Sequence, residues 1–115
     1  MMTEVSEQPV VSVYLAYSEA SETFYQELLD IMLRDYPEIE FEGYHDNKLK
    51  ERKKSFGLRS RYGARLTPFV SVELDSTPIK AFYTEVVECT VDNIKTFLDA
   101  YLNNQEIVEN ANTSN

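Results

Sequence analysis

The sequence is poor in cysteine, which excludes disulfide chemistry within the chain. Cys89 is the single cysteine among 115 residues, so no intramolecular disulfide can form. The chain also has no run of about 20 apolar residues, the length that a membrane-spanning helix requires. It begins with no recognisable secretory signal. We therefore expect a protein of the reducing cytoplasm, away from membranes.

Positive charge is scarce and concentrated in one place. The chain has a net charge of −9, yet eight of its eleven cations lie between residues 48 and 65, where Glu51 is the one acid. That segment is therefore +7, and the rest of the chain, with three cations and 19 acids, is −16. The cations of this basic segment are Lys48, Lys50, Arg52, Lys53, Lys54, Arg59, Arg61 and Arg65.

Three interpretations of the basic segment remain open. A charge run of this kind often forms a solvated helix face. It could also bind an acidic surface of another protein. Nucleic acid is the third possibility, since Phe56 and Tyr62 stand near the cations and could stack on bases. We expect it less, because a total charge of −9 repels a polyanion at long range.

The hydrophobic pattern predicts one domain with elements in the order β-α-β-α-β-β-α. The strands are expected at 10–17, 39–44, 69–74 and 79–85 and the helices at 18–36, 46–55 and 91–102. Residues 10–17 are apolar on both faces, which is typical of a central strand covered by helices on both sides. We therefore predict a three-layer α/β/α sandwich around a mixed four-stranded sheet.

Several boundaries follow from individual residues. Thr90 is a suitable N-cap for the last helix, and residues 75–78 are typical of a hairpin turn. Gly57 is predicted to end the polar second helix, which offers Leu49 and Phe56 for burial. We expect a flexible lead over residues 1–9, the domain over 10–103 and a disordered tail over 104–115.

Three segments in this order resemble the thioredoxin family. They are "AYSEASE" between the first strand and the first helix, "RYGARLTPFVSVEL" leading into the third strand, and "DNIKTFLDAYL" in the last helix. The resemblance implies a thioredoxin-like fold with a cis peptide bond before Pro68. It also implies that the backbone of Thr67 is free to pair with an extended segment of a partner.

The serines Ser18 and Ser21 stand where that family keeps the cysteines of its C-x-x-C motif. Disulfide exchange needs a thiolate, and a serine hydroxyl forms no bond to sulfur that a second residue could resolve. Ser12 stands near the position of the family's buried acid. We therefore predict that the redox chemistry has been lost, and that one of the two serines caps the first helix.

Two enzymatic alternatives exist for the same position. His45 and Asp46 are predicted to lie at the same sheet edge as Ser18, as a hydrolase would need, but adjacent residues rarely orient each other as base and partner. By analogy with glutathione transferases, Ser18 or Tyr17 could activate the thiol of glutathione. Those enzymes carry a further helical domain that this chain is too short to hold.

The best interpretation is a redox-inactive thioredoxin-like domain that binds another protein. One surface is a peptide groove formed by Tyr17, Ser18, Thr67 and Pro68, and the other is the basic segment. We predict no catalytic residues, no metal site and no cofactor. The sequence leaves the oligomeric state open.

Overall fold

The computed structural model describes residues 10–83 and 88–113, with side chains described as far as residue 103. Seven elements follow the predicted order. They are β1 (Val11–Tyr17), α1 (Glu22–Asp35), β2 (Glu40–His45), α2 (Leu49–Ser60), β3 (Phe69–Leu74), β4 (Thr77–Phe82) and α3 (Val91–Thr113). None of the described helices combines the length and the apolarity that crossing a lipid bilayer requires.

The four strands form one mixed sheet in the order β2-β1-β3-β4. β1 runs parallel to β2, with Val13 opposite Phe41, and α1 makes the crossover between them. β3 is antiparallel to β1, and β4 is antiparallel to β3. This arrangement confirms the predicted mixed sheet and places β1 at its centre.

The main core lies on the face of the sheet that α1 and α3 cover. Val13 and Leu15 of β1 are fully buried there with Leu28 of α1 and Leu98 of α3. A smaller cluster, formed by Ala16, Phe69 and Ala64, lies on the other face. β1 is therefore buried on both sides, as its apolar pattern predicted.

The hairpin between β3 and β4 is tighter than predicted. Asp75 and Ser76 both have positive φ angles, of 51° and 71°, as a two-residue hairpin turn requires at its central positions. Thr77 and Pro78 therefore belong to β4, which starts two residues before the prediction. Pro78 is tolerated because β4 is an edge strand. The predicted end of this strand, at residues 84 and 85, lies outside the described residues.

The second helix differs from the prediction in two respects. α2 is continuous from Leu49 to Ser60, so Gly57 does not end it; a glycine costs a helix about 1 kcal/mol and need not break it. Leu49 and Phe56, which were expected to be buried, are 81% and 52% exposed. The helix instead buries two polar side chains, Ser55 and Arg59.

The first and last helices differ from the prediction at their ends. A 3-10 turn over Glu19–Ser21 precedes α1. Thr90 caps α3 as predicted, since its hydroxyl accepts the backbone N–H of Asn93 at 3.1 Å. α3 then continues to Thr113, through a segment expected to be disordered. Residues 103–113 contain no proline or glycine that would stop a helix.

Candidate functional site

The two serines form a local hydrogen-bonded structure at the carboxyl end of β1. The backbone N–H of Ser18 donates to the hydroxyl of Ser21 at 2.9 Å. The Ser21 hydroxyl donates in turn to the carbonyl of Ser18 at 3.3 Å, and the two hydroxyl oxygens lie 3.5 Å apart. Ser18 is the residue before the 3-10 turn, so both serines organise the start of the first helical segment, which is the capping role predicted for one of them.

The loop before β3 lies against this start. The hydroxyl oxygens of Ser18 and Thr67 are 2.9 Å apart, although 49 residues separate them in the sequence. The peptide bond between Thr67 and Pro68 is cis. The fold therefore brings Ser18, Thr67 and Pro68 of the peptide groove together, and all three remain partly exposed.

The backbone of this loop offers free hydrogen-bonding groups. Leu66 and Thr67 have no backbone hydrogen bond to another residue of the part of the chain that the structure describes. The side chain of Leu66 is 54% exposed beside them. Exposed, unpaired backbone next to an apolar side chain is the arrangement to which an extended peptide can add as a strand.

Tyr17 does not belong to the peptide groove, and its prediction is corrected. The residue is 5% exposed, and its ring stacks on Tyr25 at a centroid distance of 4.5 Å. Burial raises the pKa of the Tyr17 hydroxyl to about 12. Side chains alternate along a strand, so Tyr17 faces the main core with Val13 and Leu15. The glutathione interpretation then depends on Ser18 alone.

The side chains of a hydrolase do not converge on Ser18. His45 is buried, and its Nδ1 accepts the backbone N–H of Asn47 at 3.0 Å. Its Nε2 therefore carries the hydrogen and donates to Glu22 at 2.9 Å. Both ring nitrogens are thus engaged away from the Ser18 hydroxyl. The hydrolase interpretation lacks its base.

Asp46 belongs to a structural network that the sequence analysis missed. Its carboxylate accepts hydrogen bonds from the Ser55 hydroxyl and from Nη2 of Arg59, the latter at 3.3 Å to each oxygen. Arg59 also donates to the carbonyl of Arg65 at 3.2 Å and lies over the ring of Phe56. Ser55 and Arg59 are four residues apart and so lie on one helix face. The sequence did not predict their burial, because polar residues at this spacing usually indicate a face exposed to solvent.

Arg59 must therefore be removed from the predicted partner surface. It is 6% exposed, and its Nε is buried without a hydrogen-bond partner among the described residues. Its charge stabilises the fold around Asp46 and is not available to another molecule. The seven cations of the basic segment that remain exposed are Lys48, Lys50, Arg52, Lys53, Lys54, Arg61 and Arg65.

Two of the exposed cations contact the sheet. Lys54 Nζ lies 5.4 Å from the centroid of the Tyr44 ring, within the range of a cation–π interaction. Arg61 Nη1 lies 3.9 Å from Oε2 of Glu73. The cations are therefore arranged around α2 and the loop that follows it, next to the face of the sheet that carries the smaller hydrophobic cluster.

The surroundings of Cys89 disfavour the thiolate form of its side chain. Burial raises the pKa of its side chain to about 12, so the thiolate that oxidation and disulfide exchange need is not populated near neutral pH. The thiol lies beside Phe24 and Ile31 of α1, away from the serines.

Comparison with solved structures shows the fold. Thioredoxin f2 from Chlamydomonas reinhardtii superimposes with a TM-score of 0.60 at 14% sequence identity, over 84% of this chain and 82% of that one. The short form of thioredoxin f from spinach chloroplast gives a TM-score of 0.53 at 16% identity, over 80% and 76%. A scan against protein-family models and a search of curated proteins both find no match. The chain is thus similar in architecture to proteins from which its sequence differs widely.

Proposed function

We propose that this thioredoxin-like domain is a redox-inactive module that binds another protein. The observation that carries the proposal is the contact between Ser18 and Thr67. It places two hydroxyl groups, and no thiol, at the point where the start of the first helical segment meets the loop before β3. A hydroxyl cannot act as the thiolate that disulfide exchange requires.

The remaining chemistry of the peptide groove is recognition. Leu66 and Thr67 offer backbone donors and acceptors to an extended segment, and Ser18 can add a side-chain hydrogen bond. A partner strand of this kind gains affinity from its main chain and specificity from the side chains on alternate positions. Leu66 provides an apolar contact for one such side chain.

The basic segment supplies a second surface, for an acidic partner. Its seven exposed cations stand on a body that is otherwise strongly acidic. Complementary charge accelerates association and excludes partners with the wrong charge. A partner could engage the groove with an extended segment and the basic segment with acidic residues, as an assembly module would require.

The groove is tested by selecting peptides on the immobilised domain and mapping the bound peptide by NMR. We expect the amide signals of Ser18 and Thr67 to shift, while those of the distant Asp75–Ser76 turn do not. Ser18→Trp should block binding by filling the groove, and Thr77→Trp at the exposed start of β4 is the matched control. If the NMR shifts are confined to other surfaces, or if both variants bind the peptide equally well, the peptide does not bind in the groove.

A further inference from the structure

We propose that a cavity beside α2 binds the carboxylate side chains of an extended acidic segment of a partner protein. This inference rests on the proposed function, because it names the place at which the basic segment engages its acidic partner. It concerns a different surface from the peptide groove.

The cavity lies between α2 and the polar part of the sheet. It is a shallow cavity, largely open to solvent, with a volume of about 300 Å³. Three strands contribute Tyr14, Tyr44 and Glu73 to its walls, and α2 contributes Lys54 and the backbone of Gly57. Arg61, which directly follows α2, completes the lining. The rings of Tyr14 and Tyr44 stand nearly parallel, 6.2 Å apart, and form an aromatic wall.

Helical spacing brings the cations to this cavity. Lys50, Lys54, Gly57 and Arg61 follow one another at intervals of four, three and four residues, so they lie along a single stripe. Lys54 and Arg61 stand on either side of Gly57, with their backbones about 10 Å apart along the helix axis. Of the three cations in the stripe, Lys54 and Arg61 therefore flank the cavity with a gap between them.

Gly57 produces that gap without serving the fold. A β-carbon built at this position would meet no atom within 4 Å, and the backbone is not in the left-handed region that favours glycine. Alanine would be a better helix former here. A glycine that packing does not require leaves room for another molecule to approach the helix backbone.

The charges in the cavity favour an anion. Two cations face one carboxylate, Glu73, and the contact between Arg61 and Glu73 is long at 3.9 Å. The Arg61 side chain is 58% exposed and keeps further N–H donors for a ligand. An extended chain advances about 3.3 Å per residue, so two acidic side chains a few residues apart match the spacing of Lys54 and Arg61.

Separate carboxylates fit this place better than a polyphosphate chain. Glu73 lines the cavity, and Glu42 lies next to it, accepting the hydroxyl of Tyr44 at 3.0 Å. A continuous row of phosphates would be repelled by these acids and by the acidic body of the domain. An acidic peptide can place its carboxylates at the cations and neutral residues beside the acids.

The test measures fluorescence anisotropy of a labelled peptide with glutamate at every third position and glycine and serine between them, on the intact domain. The double variant Lys54→Gln/Arg61→Gln should bind about tenfold more weakly, which corresponds to about 1.4 kcal/mol. The matched control, Arg52→Gln/Lys53→Gln, removes the same charge from exposed positions that do not line the cavity. It should weaken binding by less than about threefold.

A second pair of variants tests the gap itself. Gly57→Gln should fill the cavity entrance and weaken binding without lowering the melting temperature, since glutamine is a good helix former. Leu49→Gln, at an 81% exposed position about two turns before Gly57 on the same helix, should leave binding unchanged.

The possible outcomes separate this inference from the proposed function. If the two double variants weaken peptide binding equally, the peptide is attracted by charge alone and the cavity is not the binding site. The basic segment would then still bind an acidic partner. No binding of the peptide to the wild-type domain would overturn the cavity and the acidic-partner role of the basic segment, and would leave the peptide groove to its own test. Tighter binding of an oligothymidylate at the same residues would replace the acidic peptide by a nucleic acid.

Discussion

The network around Arg59 makes a sharp prediction about which cations serve the fold. The guanidinium side chain is 8% exposed and Asp46 is 22% exposed. Three contacts hold it, two to Asp46 at 3.3 Å and one to a backbone carbonyl at 3.2 Å. Because these hydrogen bonds are long, each contributes about 1 kcal/mol, the net value of an ordinary hydrogen bond in a protein. Against this, the buried and unpaired Nε costs about 1 kcal/mol.

Arg59→Met should therefore lower the free energy of unfolding by about 2 kcal/mol, because methionine retains much of the apolar packing of the stem. Asp46→Ala should cost more, about 3 kcal/mol, because it leaves a buried guanidinium without its counterion. The double variant should cost less than the sum of the two. Urea unfolding of the four proteins, with exposed Arg52→Met as a control expected within about 0.5 kcal/mol, measures this coupling. The reasoning would be refuted if the losses of unfolding free energy of the two single variants simply added in the double variant. It would also be refuted if the loss for Arg59→Met were as small as that for the control.

Three further predictions concern other parts of the molecule. Ser21→Ala removes the acceptor of the Ser18 N–H and should cost about 1 kcal/mol in urea unfolding, whereas Ser21→Thr should retain part of it. Gly43→Ala would place a β-carbon 2.7 Å from the Tyr25 ring and should destabilise the domain by about 1–3 kcal/mol; unchanged stability would show that the ring moves freely. Burial raises the pKa of Cys89 from 9.0 to about 12, so the stability that depends on the protonated thiol is complete below pH 9 and is lost as the pH rises towards 12. Cys89→Ala should show a shallower loss across that range, and parallel curves would contradict this.

The apolar pattern predicted most of the fold because burial on both faces leaves a direct trace in the sequence. The pattern of residues 10–17 predicts a central strand for this reason, and the order of elements then allows few topologies. Helix ends were less predictable. The glycine at position 57 predicts a helix end, but the cost of one interior glycine is small compared with the packing of a helix.

The contacts of the site could be predicted only in part. The resemblance brought Ser18 and Thr67 together correctly, since the fold determines that approach. It placed Tyr17 beside them as well, but the alternation of a strand turns that side chain into the core. Arg59 was expected on the surface because its partner, Asp46, precedes the helix, and the sequence contains no pattern that pairs them.

The central claim is that the domain does not catalyse disulfide exchange. Reduction of insulin by dithiothreitol tests it most directly, with a thioredoxin as the positive control. We expect insulin to precipitate at the rate set by dithiothreitol alone, at every concentration of the wild-type domain, because Ser18 and Ser21 provide no thiolate. A precipitation rate that increases with the concentration of the domain would contradict the account.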